Sequence, residues 1–261
     1  MKSLFPYVGG KHRLAPRLIK LFPDHRCYVE VFGGALNLLF AKPPSDTEVV
    51  NDVNSNLTRL FRVIRFHPDE FLKELTLVTH NRAEFMDYHT QPGLTDIQRA
   101  ARFWYLLKTT YGGTGSVGHK NFGYGPGKSA LLKSSALATV LDAHQRLDGV
   151  YIENLDFADL VARYDRGYTF FFCDPPYFQA ADYGVPFEYA DHQRLAQTLK
   201  KIKGKFLLTI GDHPQIRPLY KGLPQRKISV TYTVSRKKSP AAQKHNELII
   251  ANYPLPRGVK I

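Results

Sequence analysis

Residues 169–177, Thr-Phe-Phe-Phe-Cys-Asp-Pro-Pro-Tyr, constrain this chain more than any other stretch. The aromatic run reads as a buried strand. It ends in a carboxylate, two prolines and a tyrosine, which a strand interior would not tolerate, because proline gives no N–H to the ladder. A sheet must therefore bring Asp174, Pro175, Pro176 and Tyr177 to its edge.

The rest of the chain supplies that sheet. Short β-branched runs at 27–32 and 47–53 are each followed by a helical pattern, at 35–41 and 54–65, which makes a βαβ unit. Strands follow at 149–156, 168–174, 205–212, 227–235 and 246–253, with helices between the earlier ones, such as 191–204. The last two runs leave no room for a crossover helix and predict an antiparallel hairpin. The expected fold is α/β: a mostly parallel, doubly wound, Rossmann-like sheet with an antiparallel C-terminal pair.

Between the two α/β portions the pattern is helical over 69–78, 82–89 and 95–111, then glycine-rich over 112–129. A glycine-rich segment that long exceeds an ordinary connection and reads as functional or disordered. Residues 67–145 therefore read as a helical module inserted into a catalytic domain, whose N-terminal portion is 1–66 and whose C-terminal portion is 146–261.

Charge narrows the partners. Lys+Arg 36 against Asp+Glu 23 gives a formal net charge of +13, which points to a polyanion, nucleic acid ahead of a small acidic substrate. No apolar run spans a bilayer and the first residues lack a signal peptide, so no membrane partner and a cytoplasmic location are expected. Two cysteines, Cys27 and Cys173, have no metal or disulfide spacing and read as reduced core thiols; no metal is expected.

Ligands of open α/β sheets bind beyond the carboxyl ends of the strands, so residues just past a strand carry the chemistry. Gly33 and Gly34 would let a cofactor approach the backbone at a helix start, although the full G-x-G-x-x-G fingerprint is absent. Asp52 can accept from both ribose hydroxyls of a nucleoside cofactor; Asn51 or Asp52 capping the next helix is the plainer alternative. At 174–177 the prolines free carbonyl oxygens beside a carboxylate, and Tyr177 adds a flat aromatic face. This suits a planar base bearing an amino group, while a capped Pro-Pro turn with a core tyrosine fits any fold.

Asp174-Pro175-Pro176-Tyr177 resembles the D-P-P-Y motif of S-adenosylmethionine-dependent DNA amino-methyltransferases, and the chain around it is similar to the Dam family (D12 class, alpha type) of DNA adenine-N6 methyltransferases. Residues 5–14 resemble the family's N-terminal cofactor motif, 28–40 its Gly-rich motif and 49–57 its ribose-binding acid, with further likeness over 150–157, 182–199 and 246–253. The resemblance implies S-adenosylmethionine as cofactor, bound by Tyr7, Gly10, Lys11, Phe32, Gly34, Asp52 and Asp174, with Asp156 and Phe157 against its adenine. It implies catalysis by Asp174, Pro175, Pro176 and Tyr177, and residues 67–145 as the target-recognition module. Leu36 departs from the F-x-G-x-G often found in the family, which leaves the shape of that loop open.

The expected substrate is double-stranded DNA, acted on by a monomer or weak dimer. Lys120, Asn121, Tyr124 and Lys128 are candidates for base and phosphate contacts, and Arg236, Lys237 and Lys238 for a basic hairpin turn on the DNA. An adenine amine is a poor nucleophile, so Asp174 and a Pro-Pro carbonyl would localise its lone pair on a base flipped from the stack and resting on Tyr177. Cytosine-N4, RNA adenine or protein methylation, and a catalytically silent DNA-binding module, are the competing readings. A Cys173 nucleophile is disfavoured inside an aromatic strand.

Overall fold

The computed structural model describes residues 3–110, 121–123, 134–179, 186–231, 244–256 and 258. Seven strands form one sheet in the order β3-β2-β1-β4-β5-β7-β6. They are β1 (Cys27–Glu30), β2 (Thr47–Asn51), β3 (Tyr151–Glu153), β4 (Thr169–Cys173), β5 (Lys205–Gly211), β6 (Gln225–Thr231) and β7 (Lys244–Ala251). Strands β1 to β5 run parallel, and β7 lies antiparallel between β5 and β6. The expected α/β sheet with its C-terminal hairpin is thus present. The hairpin's last strand inserts against β5, leaving β6 at the edge.

The aromatic run is explained by alternation between two covered faces. Tyr28, Phe170 and Phe172 belong to one apolar cluster, Val29, Phe171 and Cys173 to the other. Each of the three phenylalanines is at most 1% exposed, and such a residue gains about 1.5–3 kcal/mol from burial. A parallel strand covered on both sides reads as a continuous apolar run for this reason.

The first face carries α1 (Ala15–Leu18), α2 (Asn37–Ala41) and α3 (Ser55–Phe66), against which α4 (Pro68–Thr76), α5 (Arg82–Tyr88), α6 (Asp96–Thr109) and α7 (Ser134–Arg146) pack in the same cluster. Trp104 and Phe71 meet edge to face within it. The second face is covered by α8 (Phe157–Tyr164) and α9 (Tyr189–Leu199). Strand order reverses between β1 and β4, and the crevice at their carboxyl ends is the place where such sheets bind ligands.

Candidate active site

A cavity opens at that crevice, lined by Tyr7, Gly10 and Lys11 of the N-terminal segment, the loop after β1, the end of β2, the segments after β3 and β4, and α9. Tyr7, Gly10, Lys11, Phe32, Gly34, Asp52, Asp156, Phe157, Asp174, Pro175, Pro176 and Tyr177 all line it. Residues far apart in sequence are therefore brought into one pocket, because each follows a strand or crosses the sheet's carboxyl edge.

Asp174 is its electrostatic centre. The Lys11 ammonium, itself 3% exposed, lies 3.0 Å from Asp174 Oδ1, and the buried Thr209 hydroxyl of β5 donates to the same oxygen at 2.7 Å. The Tyr177 hydroxyl is more distant, at 3.5 Å. One carboxylate oxygen is thus fixed, and Oδ2 has no donor among the described residues. Lys11 also sits 4.8 Å from the centroid of the Tyr177 ring, an ammonium over an electron-rich face. Gly211 lets that ring pack close: a Cβ there would come within 3.3 Å of it.

Asp52 organises the Gly-rich loop. Its Oδ2 accepts from the Gly34 N–H and its Oδ1 from the Asn54 N–H, each at 2.8 Å. Neither Asn51 nor Asp52 caps α3; Asn54 does, accepting from Asn56 N–H. Burial pushes the Asp52 carboxyl upward and the two backbone donors partly offset it. Gly34 adopts φ +50°, and a Cβ would stand 3.2 Å from the Tyr7 ring. Leu36 adopts φ 53° and ψ 36°, a left-handed geometry that costs an ordinary side chain about 1–2 kcal/mol. Its side chain is 1% exposed, so packing holds the loop in the shape glycine would adopt.

At the far end, the Asp156 carboxylate caps α8 by accepting from Ala158 N–H. Burial would raise it, yet the Arg194 guanidinium beside it holds it below the ordinary carboxylate value. Phe32, Phe157 and Phe187 surround this end with centroids 5.7–5.9 Å apart.

Several roles here are not legible in the sequence. Glu30, lining the cavity, accepts from the Tyr28 hydroxyl at 2.9 Å and Leu39 N–H at 3.0 Å. Burial pushes it up to about 8, with the Asp174 charge adding to the rise. An acid inside a buried strand was its only signal. The Asn51 side chain joins strand ends by donating to the Val31 and Leu155 carbonyls and accepting from Leu155 N–H. Asn37, Phe187, Arg194 and Thr209 carried no signal.

Asn121 is exposed, next to Phe122, which bridges to Thr110. Lys120, Tyr124, Lys128, Arg236, Lys237 and Lys238 lie outside the described residues. No group of side chains suited to a metal ion, and no helix long and apolar enough to cross a membrane, is found among the described residues.

Comparison with known proteins decides the family. The family described as D12 class N6 adenine-specific DNA methyltransferase matches residues 7–235. The chain belongs to that family. It is similar to the type II methyltransferase M1.LlaDCHI of Lactococcus lactis subsp. cremoris, 28% identical over 97% of this chain and 96% of that protein. The DNA N-6-adenine-methyltransferase of Escherichia phage P1 is 26% identical over 84% of this chain, which spans 31% of that relative. The DNA adenine methylase of Serratia marcescens is 24% identical over 81% of this chain and 83% of its own length. For an adenine-specific DNA methyltransferase the cytosine, RNA and silent-module readings fall away. Cys173 is fully buried and its thiol is pushed far up by that burial, with the neighbouring Asp174 charge adding to it, which removes it as a nucleophile.

Proposed function

We propose that this methyltransferase transfers a methyl group from S-adenosylmethionine to the N6 amine of an adenine flipped out of duplex DNA, at sites chosen by residues 67–145. The observation that carries the reading is the Asp174 carboxylate at the head of Asp-Pro-Pro-Tyr. One of its oxygens is pinned by Lys11 and Thr209, and the other has no donor among the described residues.

The chain's own groups fit the cofactor. Three aromatic rings and a carboxylate at one end match an adenine and its amine. Asp52 keeps lone pairs for ribose hydroxyls beyond its two backbone bonds. Gly34 leaves backbone bare where a side chain would collide with Tyr7. Asn37 Oδ1, buried in the lining, lacks a hydrogen-bond partner among the described residues. When bound, S-adenosylmethionine supplies an electrophilic methyl group on a sulfonium.

The residues then have separate tasks. Asp174 Oδ2 and a carbonyl of the Pro175-Pro176 pair accept the two N–H bonds of the adenine amine, which favours a pyramidal nitrogen with its lone pair outward. Tyr177 offers a face to the extruded base and offsets the few kcal/mol of unstacking. Lys11 balances the Asp174 charge. Positioning and electrostatics provide the acceleration.

Expression in a bacterial strain without adenine methylation, followed by methylation-sensitive long-read sequencing, tests the reading. N6-methyladenine at a defined motif is expected with the native chain and none with Asp174→Ala. Unmodified DNA with the native, folded chain would overturn it.

A further inference from the structure

Arg194 of α9 reaches across to the loop after β3 and the start of α8. Its Nη1 donates to Asp156 Oδ1 at 2.7 Å and its Nη2 to Oδ2 at 2.8 Å, a bidentate pair. Its guanidinium carbon lies 4.1 Å from the centroid of Phe157. Asp191, one turn earlier and fixed in a capping box with Glu188, sits 3.4 Å from Nη2. Arg194, Asp156, Phe157 and Asp191 all line the cavity.

A surface ion pair of this exposure, with Arg194 46% and Asp156 38% accessible, contributes little to stability. The convergence of these contacts on one guanidinium over a ligand pocket points to a different task. A carboxylate oxygen has two lone pairs, and Arg194 donates one hydrogen bond to Asp156 Oδ2. The planar fork fixes the carboxylate plane, which an ammonium could not do. Oδ2 keeps acceptor capacity beyond that bond, in a cavity that Phe32, Phe157 and Phe187 also line.

We propose that Arg194 is a positioning residue that makes Asp156 read the amine of the cofactor's nucleobase. The inference rests on the proposed S-adenosylmethionine site and adds its selectivity: a 6-amino purine is accepted, and a 6-oxo purine, which presents an acceptor to the carboxylate, is rejected. Sites built to bond a polar substituent discriminate strongly against analogues that lack it.

Isothermal titration of the purified enzyme with S-adenosylhomocysteine and its 6-oxo analogue S-inosylhomocysteine tests this without turnover. The native protein should prefer the amino form by about 10- to 150-fold, the range of one hydrogen bond to a charged acceptor. Arg194→Met retains the stem over Phe157 but no fork. Its preference should fall to about threefold or less, by loss of affinity for the amino form with the 6-oxo affinity unchanged. Arg194→Lys should recover only part of it. Equal weakening for both ligands in Arg194→Met, or unchanged discrimination, with circular dichroism as in the native protein, overturns the role of Arg194. Native protein that binds both analogues equally also overturns it. Native protein that binds neither refutes the cofactor site itself.

Discussion

Thr209 gives the sharpest test of how Asp174 is held. Its hydroxyl is fully buried and donates to Asp174 Oδ1 at 2.7 Å, while Lys11 holds the same atom at 3.0 Å. Thr209→Val keeps the shape and deletes the donor. A hydrogen bond to a charged group is worth about 1.5–3 kcal/mol, and each 1.36 kcal/mol in a barrier is tenfold in rate. With only Lys11 and the distant Tyr177 hydroxyl left on Oδ1, the carboxylate is held more loosely, so the single-turnover transfer rate on duplex DNA should fall about 10- to 150-fold. Thr209 does not line the cavity, so S-adenosylhomocysteine affinity should move less than about threefold. Extrusion of 2-aminopurine at the target position should stay as in the native protein. Thr209→Ser, which restores the donor, should recover most of the rate. A Val variant transferring at native rate, or a Ser variant as slow as Val, would refute the pinning of Asp174 by this hydroxyl.

Three further outcomes are expected. Tyr177→Phe should retain most activity and Tyr177→Ala lose about 5- to 150-fold, the value of base stacking; equal damage in both, measured with 2-aminopurine duplexes, would give the hydroxyl the main role. Asp52→Ala removes the acceptor for Gly34 and Asn54 N–H and should weaken S-adenosylhomocysteine at least about tenfold; an unchanged titration curve would exclude Asp52 from the cofactor site. Glu30, raised from 4.5 to about 8, binds its proton more tightly folded than unfolded. Its contribution is therefore complete below pH 4.5 and lost as pH rises toward 8, at about 1.4 kcal/mol per unit. Glu30→Gln should flatten the fall in urea stability across that window, and parallel native and variant curves would contradict the assignment.

The strands, the hairpin and the motif residues are legible in the amino-acid order, because their causes are local. Phe170 to Phe172 must be buried on both faces, Pro175 and Pro176 must end a strand, and apolar runs as close as 227–235 and 246–253 favour an antiparallel hairpin, as β6 and β7 form. The same local logic put Asp52 and Asp174 past strand ends, where ligands bind. The company these residues keep depends on long-range packing. Thr209 meets Asp174 from 35 positions away, Arg194 meets Asp156 from 38, and Asn51 ties to Leu155 across 104. Threonine on a strand, arginine on a helix and asparagine at a strand end have many uses, and only the register of β4 against β5, the packing of α9 beside α8 and the pairing of β2 with β3 select these. Leu36 shows the converse: its type disfavours the left-handed backbone it adopts, and burial of its side chain in the core overrides that local preference.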